Sequence, residues 1–176
     1  SRELNADLQK YLDLRGLQLL ITKQKPFEFL LRIEQLRFQT RWNQTPRVPK
    51  TSVLGHCFFV AVLSLLFSRE SGVKMCSKRI YNNFFSGLFH DLPESVTRDI
   101  ISPVKQATDG LPEIIKDIED KIVAKELVPL MEDFYKDEIL YFTSDEFKNR
   151  AVFDGCMIPV SFEELNEKFN EDKFNP

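Results

Sequence analysis

The chain contains few cysteines and histidines, the residues that build disulfide frameworks and many metal sites. Its 176 residues include three cysteines, Cys57, Cys76 and Cys156, and two histidines, His56 and His90. Three cysteines cannot all pair, and these three lack the spacing of a zinc site. The sequence therefore argues against a disulfide-stabilised secreted domain and favours free thiols in an intracellular protein.

A strong charge of one sign and a long apolar run are also lacking. The net charge is −3, which gives no basis for broad binding to a polyanion or to an anionic membrane surface. No apolar stretch approaches the twenty residues of a membrane span, and the N-terminus has no signal-peptide pattern. We expect a cytoplasmic protein with neither nucleic acid nor membrane as a partner.

The chain is rich in apolar residues and above all in phenylalanine. Apolar residues make up 43% of it and sixteen are Phe, which predicts a packed core built largely from rings. The length suits one domain over residues 1–176. Because Asn175-Pro176 is typical of a helix start, we expect this domain to be truncated at its C-terminal end.

Apolar residues recur at helical spacing through most of the chain. The pattern predicts helices over residues 3–23, 26–42, 52–67, 77–90 and 112–135, the last with a kink at Pro129. Ser52 and the pair Ser161 and Glu164 are typical of helix N-caps, the pair as a capping box. Residues 141–159 are equally compatible with a strand, a loop or a helix. The prediction is an all-α fold of about six or more helices.

One stretch, running from Gly87 to Glu94, brings an imidazole and two carboxylates close together. His90 and Asp91 are neighbours, so on a regular helix their side chains diverge by about 100°. They can share one ion only where the helix ends or where the ion lies between helices. Gly87 permits close packing there and Pro93 ends the helix. On its own, such a pair is more typical of a core histidine beside a helix-end cap than of a metal site.

The longer pattern that starts at His90 reads H-D-x-x-E-x-x-T-x-D-x-x-x-P-V-K. It resembles the HD-domain metal-dependent phosphohydrolases, and within them it looks closest to the bacterial 5′-deoxynucleotidases. Arg41-Trp42 and the stretch from Ser52 to His56 fall upstream in the order found in that family. The resemblance covers about residues 27–130 and implies an HD-domain helical bundle that hydrolyses phosphate esters.

The resemblance also implies a role for each residue of the site. A divalent ion (Mn, Co, Fe, Ni or Mg) would polarise a phosphoryl oxygen and lower the pKa of a bound water. Its ligands would include His56, His90 and Asp91, and Glu94 would be the catalytic carboxylate near the attacking water. The residues that match substrate-binding positions are Arg41, Trp42, Asp99, Ile100, Ile101 and Ser102.

The sequence departs from the family pattern at two positions. Gly55 stands where close relatives often have an acidic residue. The last aspartate ligand of the family should lie some sixty to seventy residues after the His-Asp pair, and Asp154 alone has that spacing. Because Asp154-Gly155 is typical of a turn, a ligand beyond Pro176 is the other alternative.

Two functional hypotheses follow. The first is a phosphohydrolase acting on a small phosphomonoester, with a deoxynucleoside 5′-monophosphate as the expected substrate. The alternative is a non-catalytic HD scaffold that binds a nucleotide or a partner protein. A homodimer is compatible with both hypotheses.

Two further groups of residues have ordinary structural interpretations. Lys74, Lys78 and Arg79 form a small basic cluster that we interpret as a solvated helix start. The apolar residues around the expected ligands should form the core near the site. They are Phe58, Phe59, Val62, Leu65, Leu66, Phe84, Phe85, Leu88 and Phe89.

Overall fold

The computed structural model describes residues 15–41, 48–97, 110–145 and 148–176. Helices dominate it, and one antiparallel hairpin is the only sheet among these residues, so the all-α prediction is confirmed. The elements are α1 (Arg15–Ile21), α2 (Lys25–Gln35), α3 (Val53–Glu70), α4 (Ser77–Phe89), α5 (Glu94–Thr97), α6 (Leu111–Glu126), α7 (Asp133–Thr143), β1 (Arg150–Phe153), β2 (Cys156–Pro159) and α8 (Phe162–Glu167), with 3-10 turns at Val128–Leu130 and Asp172–Phe174.

Helices α3 and α4 pack closely along their length and form the centre of the fold. The Ser52 hydroxyl accepts a hydrogen bond from the Gly55 N–H at 3.1 Å, so Ser52 caps α3 as predicted. A Cβ on Gly87 would lie 3.0 Å from the Ala61 Cα, which is tighter than nearly all Cβ contacts and would require the α3 backbone to shift. The missing side chain therefore lets α4 approach the α3 backbone and brings the C-terminal end of α4 beside His56.

Proline ends the sixth helix instead of kinking it. The prediction of one kinked helix over residues 112–135 is wrong: α6 ends at Glu126, Pro129 lies in a 3-10 turn, and α7 begins at Asp133. The physical reason is that Pro129 cannot donate to the preceding turn and its ring clashes with the carbonyl four residues back. The chain uses the break to bring α7 back against α4.

The segment between α7 and α8 contains a short hairpin. Strands β1 and β2 pair with Phe153 opposite Cys156. Asp154 and Gly155 both have positive φ, at 48° and 73°, as a two-residue hairpin turn requires. Helix α8 then starts with the predicted capping box, in which Ser161 and Glu164 each accept from the other's backbone N–H.

The core lies where α2, α3, α4 and α7 meet. The rings of Phe85 and Phe89 stack on Phe142, with centroids 5.8 and 6.2 Å from it. Phe58, Phe59 and Leu66, by contrast, are 58%, 61% and 51% exposed because they lie off the face of α3 that buries Cys57, so the prediction that they belong to the core is wrong. The largest fully buried side chains are Phe142, Leu36, Leu92, Leu127, Val53 and Cys57.

Helix α3 is also long and apolar enough to be compared with a membrane span, so the expectation that no apolar stretch approaches that length is wrong. It has 18 residues with a mean hydropathy of 1.5, and 22% of them are buried. By length and composition it could cross a membrane, but a core helix of a globular protein passes the same test. Since α3 contributes Val53 and Cys57 to the core and His56 to the site below, these two properties are weak evidence for a span.

Candidate metal centre

Three side chains converge where α4 ends beside α3. The Asp91 Oδ2 lies 3.3 Å from the His90 Nε2 and 3.9 Å from the His56 Nε2. The potential ligand atoms of these three residues all lie within 4.8 Å of one another. The expected ligands are thus brought together, two from the end of one helix and one from its neighbour.

The end of α4 explains how two adjacent residues reach one point. His90 keeps a helical backbone conformation as the C-cap residue, but the chain then tightens. The N–H groups of Leu92 and Glu94 donate to the carbonyls of Phe89 and Asp91, each three residues back. These tight turns end α4 at the pair, where His90 and Asp91 meet His56 of α3 even though neighbouring side chains on a helix diverge by about 100°.

The tautomer of His90 is fixed by the backbone. Its Nδ1 lies 2.9 Å from the Gly87 carbonyl oxygen. A carbonyl can only accept, so the hydrogen of the neutral ring belongs on Nδ1 and the lone pair on Nε2. This is the arrangement in which a histidine ligates a metal through Nε2 while its other nitrogen is held by the protein.

The ionisation of His90 and Asp91 is mutually coupled. Burial by itself lowers the pKa of His90, but the hydrogen bond and charge of Asp91 outweigh it, and the pKa is raised. Burial likewise opposes ionisation of Asp91, yet His90, Arg41 and His56 together lower its pKa below the usual value. Asp91 is therefore a carboxylate that attracts a cation, whether a proton on His90 or a metal ion.

Arg41 and Glu94 form an ion pair directly beside the cluster. The Arg41 Nη1 donates to the Glu94 Oε1 at 2.9 Å and lies 3.5 Å from the Asp91 Oδ2. The backbone holds Arg41 there, because its N–H donates to the Thr51 carbonyl while the Gln39 side chain donates to the Glu94 carbonyl. The residue expected to bind phosphate is thus within reach of the site and is neutralised by two carboxylates.

The other expected site residues are not part of this group. Trp42 and residues 99–102 (Asp99, Ile100, Ile101, Ser102) lie outside the described residues. Asp154 is described, and it lies exposed at the tip of the hairpin, outside the three-residue cluster. Within the ranges that the structure describes, the cluster has no fourth ligand that would match the last aspartate expected from the family pattern.

Two cavities meet at the cluster. The larger, of about 920 Å³, extends from His56, His90 and Asp91 between α3 and α4 to the hairpin and α8. The smaller, of about 370 Å³, lies on the other side of His90 and contains Asp145.

Two basic residues in these cavities were missed by the sequence analysis. Lys148 lines both cavities and pairs with Asp145 at 2.9 Å, yet no local pattern marks it. Arg79 lines the larger cavity and is only 5% exposed, so its interpretation as part of a solvated helix start is wrong. The signal for Arg79 was its helical spacing from His90, which puts the two residues on the same face of α4.

The donor set fits a divalent ion. Two imidazole nitrogens and a carboxylate oxygen are the mixture that first-row transition ions accept, and such a site leaves positions for water or substrate. His90 is already in the ligating tautomer and Asp91 is already ionised. His56, His90 and Asp91 would hold the ion, whose identity the donor set does not fix.

The comparisons with known proteins agree with this site. The family model for the HD domain matches residues 33–171, which is most of the chain and includes all three cluster residues. No curated protein and no solved structure gave a match. HD domains bind divalent metals, and their family consists generally of metal-dependent hydrolases. With the helical fold and the His-His-Asp cluster, the match over these residues shows that the chain belongs to the HD-domain family.

Proposed function

We propose that the chain is a metal-dependent phosphohydrolase that acts on a small phosphomonoester, and that a deoxynucleoside 5′-monophosphate is its substrate. The observation that carries the proposal is the convergence of His56, His90 and Asp91 with an arginine and a second carboxylate beside them. The choice of a deoxynucleotide is supported by the sequence resemblance alone.

The three cluster residues supply the ligands of the metal ion. When bound, a divalent ion supplies a Lewis acid for a phosphoryl oxygen and lowers the pKa of water. The chain's contribution is to hold the His90 imidazole in the ligating orientation, through the Gly87 carbonyl, and to keep Asp91 ionised.

Arg41 and Glu94 handle the substrate and the proton. A phosphate that enters beside the cluster competes with Glu94 for the Arg41 guanidinium, which binds phosphate oxygens in a bidentate fork. As Arg41 turns to the phosphate, the Glu94 carboxylate loses a hydrogen-bond donor and becomes the stronger base. Glu94 can then accept the proton of the attacking water while Arg41 fixes the phosphate oxygens.

The larger cavity supports a ligand of nucleotide size. Its volume of about 920 Å³ falls in the range of small-molecule sites. The proposed partner is therefore a small phosphate ester rather than a nucleic acid or a membrane. A cytoplasmic location and a homodimer belong to the same proposal and rest on the sequence.

Phosphate release from a panel of deoxy- and ribonucleoside 5′-monophosphates tests the proposal. The protein is stripped of metal, reloaded separately with Mn, Co, Ni, Fe or Mg, and assayed beside His90→Ala as the metal-site control. We expect release with at least one ion, faster for the deoxynucleotides, and none from the control. Equal release from wild type and His90→Ala would contradict the proposal.

The three-ligand cluster also favours a second candidate, a non-catalytic scaffold that binds a nucleotide. The described residues supply no fourth ligand to the cluster, and Arg41 is engaged by two carboxylates. Calorimetric titration of the same panel distinguishes the candidates. A metal-loaded protein that binds a nucleotide but releases no phosphate would favour the scaffold.

A further inference from the structure

A buried cation lines the larger cavity at a distance from the metal centre. Arg79 is 5% exposed and donates from Nη1 to the Asn166 Oδ1 at 2.6 Å and to the Leu165 carbonyl at 3.5 Å. Both partners are neutral, and in the part of the chain that the structure describes no carboxylate forms an ion pair with Arg79. Burial accordingly lowers the pKa of its guanidinium. A buried charge without a counter-charge is costly, which points to a missing anion.

The same face of α4 connects this cation to the metal centre. Asn83, Ser86 and His90 follow Arg79 at intervals of four, seven and eleven residues, and all of them line the cavity. Since a helix rises about 1.5 Å per residue, Arg79 and His90 are separated by about 16 Å along α4. A polar stripe therefore runs from one site to the other within one cavity.

Two further features favour an anion at the Arg79 end. Arg79 is the third residue of α4, so it lies at the positive end of the helix dipole, where its own charge is unfavourable. The Asp172 carboxylate accepts from the Lys78 N–H at this helix end but forms no ion pair with Arg79 in the part of the chain that the structure describes. Both hydrogen bonds of Arg79 start at Nη1, which leaves donors on Nε and Nη2 for a ligand.

We propose that Arg79 forms an anion subsite that binds a second anionic group, a phosphate or a carboxylate, of an extended substrate. This inference rests on the proposed phosphohydrolase activity at His56, His90 and Asp91, and it favours a phosphomonoester with a second anionic group over a deoxynucleoside 5′-monophosphate, which has none. The guanidinium fork suits both anions, and its separation from the cluster selects long substrates over compact ones.

Calorimetric titration of metal-free protein tests the subsite independently of catalysis. Inorganic phosphate and succinate are titrated into wild type, Arg79→Gln and the matched control Arg69→Gln, which removes an exposed arginine of α3. We expect wild type and Arg69→Gln to bind alike and Arg79→Gln to bind at least about tenfold more weakly, because a hydrogen bond to a charged group is lost. Binding of phosphate alone identifies a phosphate subsite, whereas binding of succinate as well identifies a general anion subsite.

The proposal is overturned if neither anion binds wild type, or if Arg79→Gln and Arg69→Gln bind equally.

Because Arg79 also contacts α8, two more variants separate anion binding from structural support. Asn166→Ala removes a partner of Arg79 but keeps the charge, so it should bind the anion within about twofold of wild type. Arg79→Lys keeps the charge but loses the fork, and it decides the matter if circular dichroism shows that Arg79→Gln does not fold. Loss of anion binding in Asn166→Ala, or undiminished binding in Arg79→Lys, would contradict the subsite.

These measurements need neither a metal nor turnover. Failure of the subsite therefore leaves the phosphohydrolase proposal intact, and failure of phosphate release leaves the anion titration interpretable.

Discussion

The two ends of α4 line one cavity but carry opposite chemistry. At the C-terminal end, His90 and Asp91 lie beside His56. The pKa of the Asp91 carboxyl group is lowered by its cationic neighbours. Near the N-terminal end, Arg79 is buried against neutral partners. The helix dipole favours a cation at the first end and an anion at the second.

Burial alone does not indicate what a charged residue does. Asp91 is buried with Arg41 and both histidines within 4 Å, so its charge is compensated even before a metal binds. Arg79 is buried as deeply without a counter-charge among the described residues. The first end is preorganised for an ion, whereas the second requires a ligand to complete it.

The largest expected effect comes from Glu94, which lies at the metal end without belonging to the cluster. Glu94→Gln keeps the shape of the side chain and a hydrogen-bond acceptor for Arg41 but removes the base. We expect the rate of phosphate release to fall by about 10²–10⁴ while the metal content stays near that of wild type. Steady-state kinetics and elemental analysis measure the two quantities. Loss of both together would mean that Glu94 supports the cluster rather than the proton transfer.

Gly87 tests whether the close approach of α3 and α4 builds the metal end. In Gly87→Ala the new methyl group meets the Ala61 backbone, so we expect a loss of about 1–3 kcal/mol in the free energy of unfolding and weaker metal binding. Gly16→Ala is the matched control, because nothing lies within 4 Å of its added Cβ in α1. Urea denaturation measures the free energy of unfolding of both variants. Equal effects of the two variants would show that the helix contact is not tight.

Metal binding at this end should depend on pH. The pKa of His90 is raised above its usual value of 6.5 by Asp91, although burial opposes the shift. A proton on Nε2 excludes the ion, so affinity should be constant above that pKa and fall about tenfold per pH unit below it for each competing proton. Calorimetric titration of Mn from pH 8 to pH 5 checks the sign. An affinity that stays flat over this range would exclude a histidine ligand.

The smallest effect is expected at the Arg79 end, from the cap of α8. Ser161→Ala removes one bond of the capping box and should lower the free energy of unfolding by about 1 kcal/mol, with Ser161→Thr as the control that keeps the cap. Because α8 carries Leu165 and Asn166 but no ligand of the cluster, metal affinity should not change. A parallel loss of metal binding would show that the two ends are coupled.

The metal end could be predicted from the sequence because its signals are local. Ser52 as a cap, Gly87 as a close contact and the helix end at His90 each follow from the chemistry of one or two residues. The expected divergence of neighbouring side chains on a helix also limited a shared ion to a helix end or a position between helices, and the site has both properties. The resemblance then connected this turn to His56, which lies 34 residues upstream in the sequence.

The Arg79 end could not be predicted, because it depends on tertiary packing. A basic residue in a first helical turn is ordinarily solvated, and Arg79 is buried only because the chain returns through the hairpin and packs α8 over it. The return of the chain also requires α6 to end before Pro129, where the sequence predicts only a kink in one long helix. The exposure of Phe58, Phe59 and Leu66 could not be predicted for a similar reason, since α3 is apolar on every side and its pattern does not show which face is buried.

The most direct test of the central claim is the metal content of the purified chain after removal of metal and reconstitution with Mn. Mass spectrometry of the metal, normalised to protein, should give a stoichiometric amount for wild type and background for His90→Ala, with circular dichroism showing that both are folded. Arg79→Gln should retain the ion, because Arg79 lies about 16 Å along α4 from His90. A folded wild-type protein without metal above background, or a His90→Ala variant that retains the ion, would contradict the metal centre.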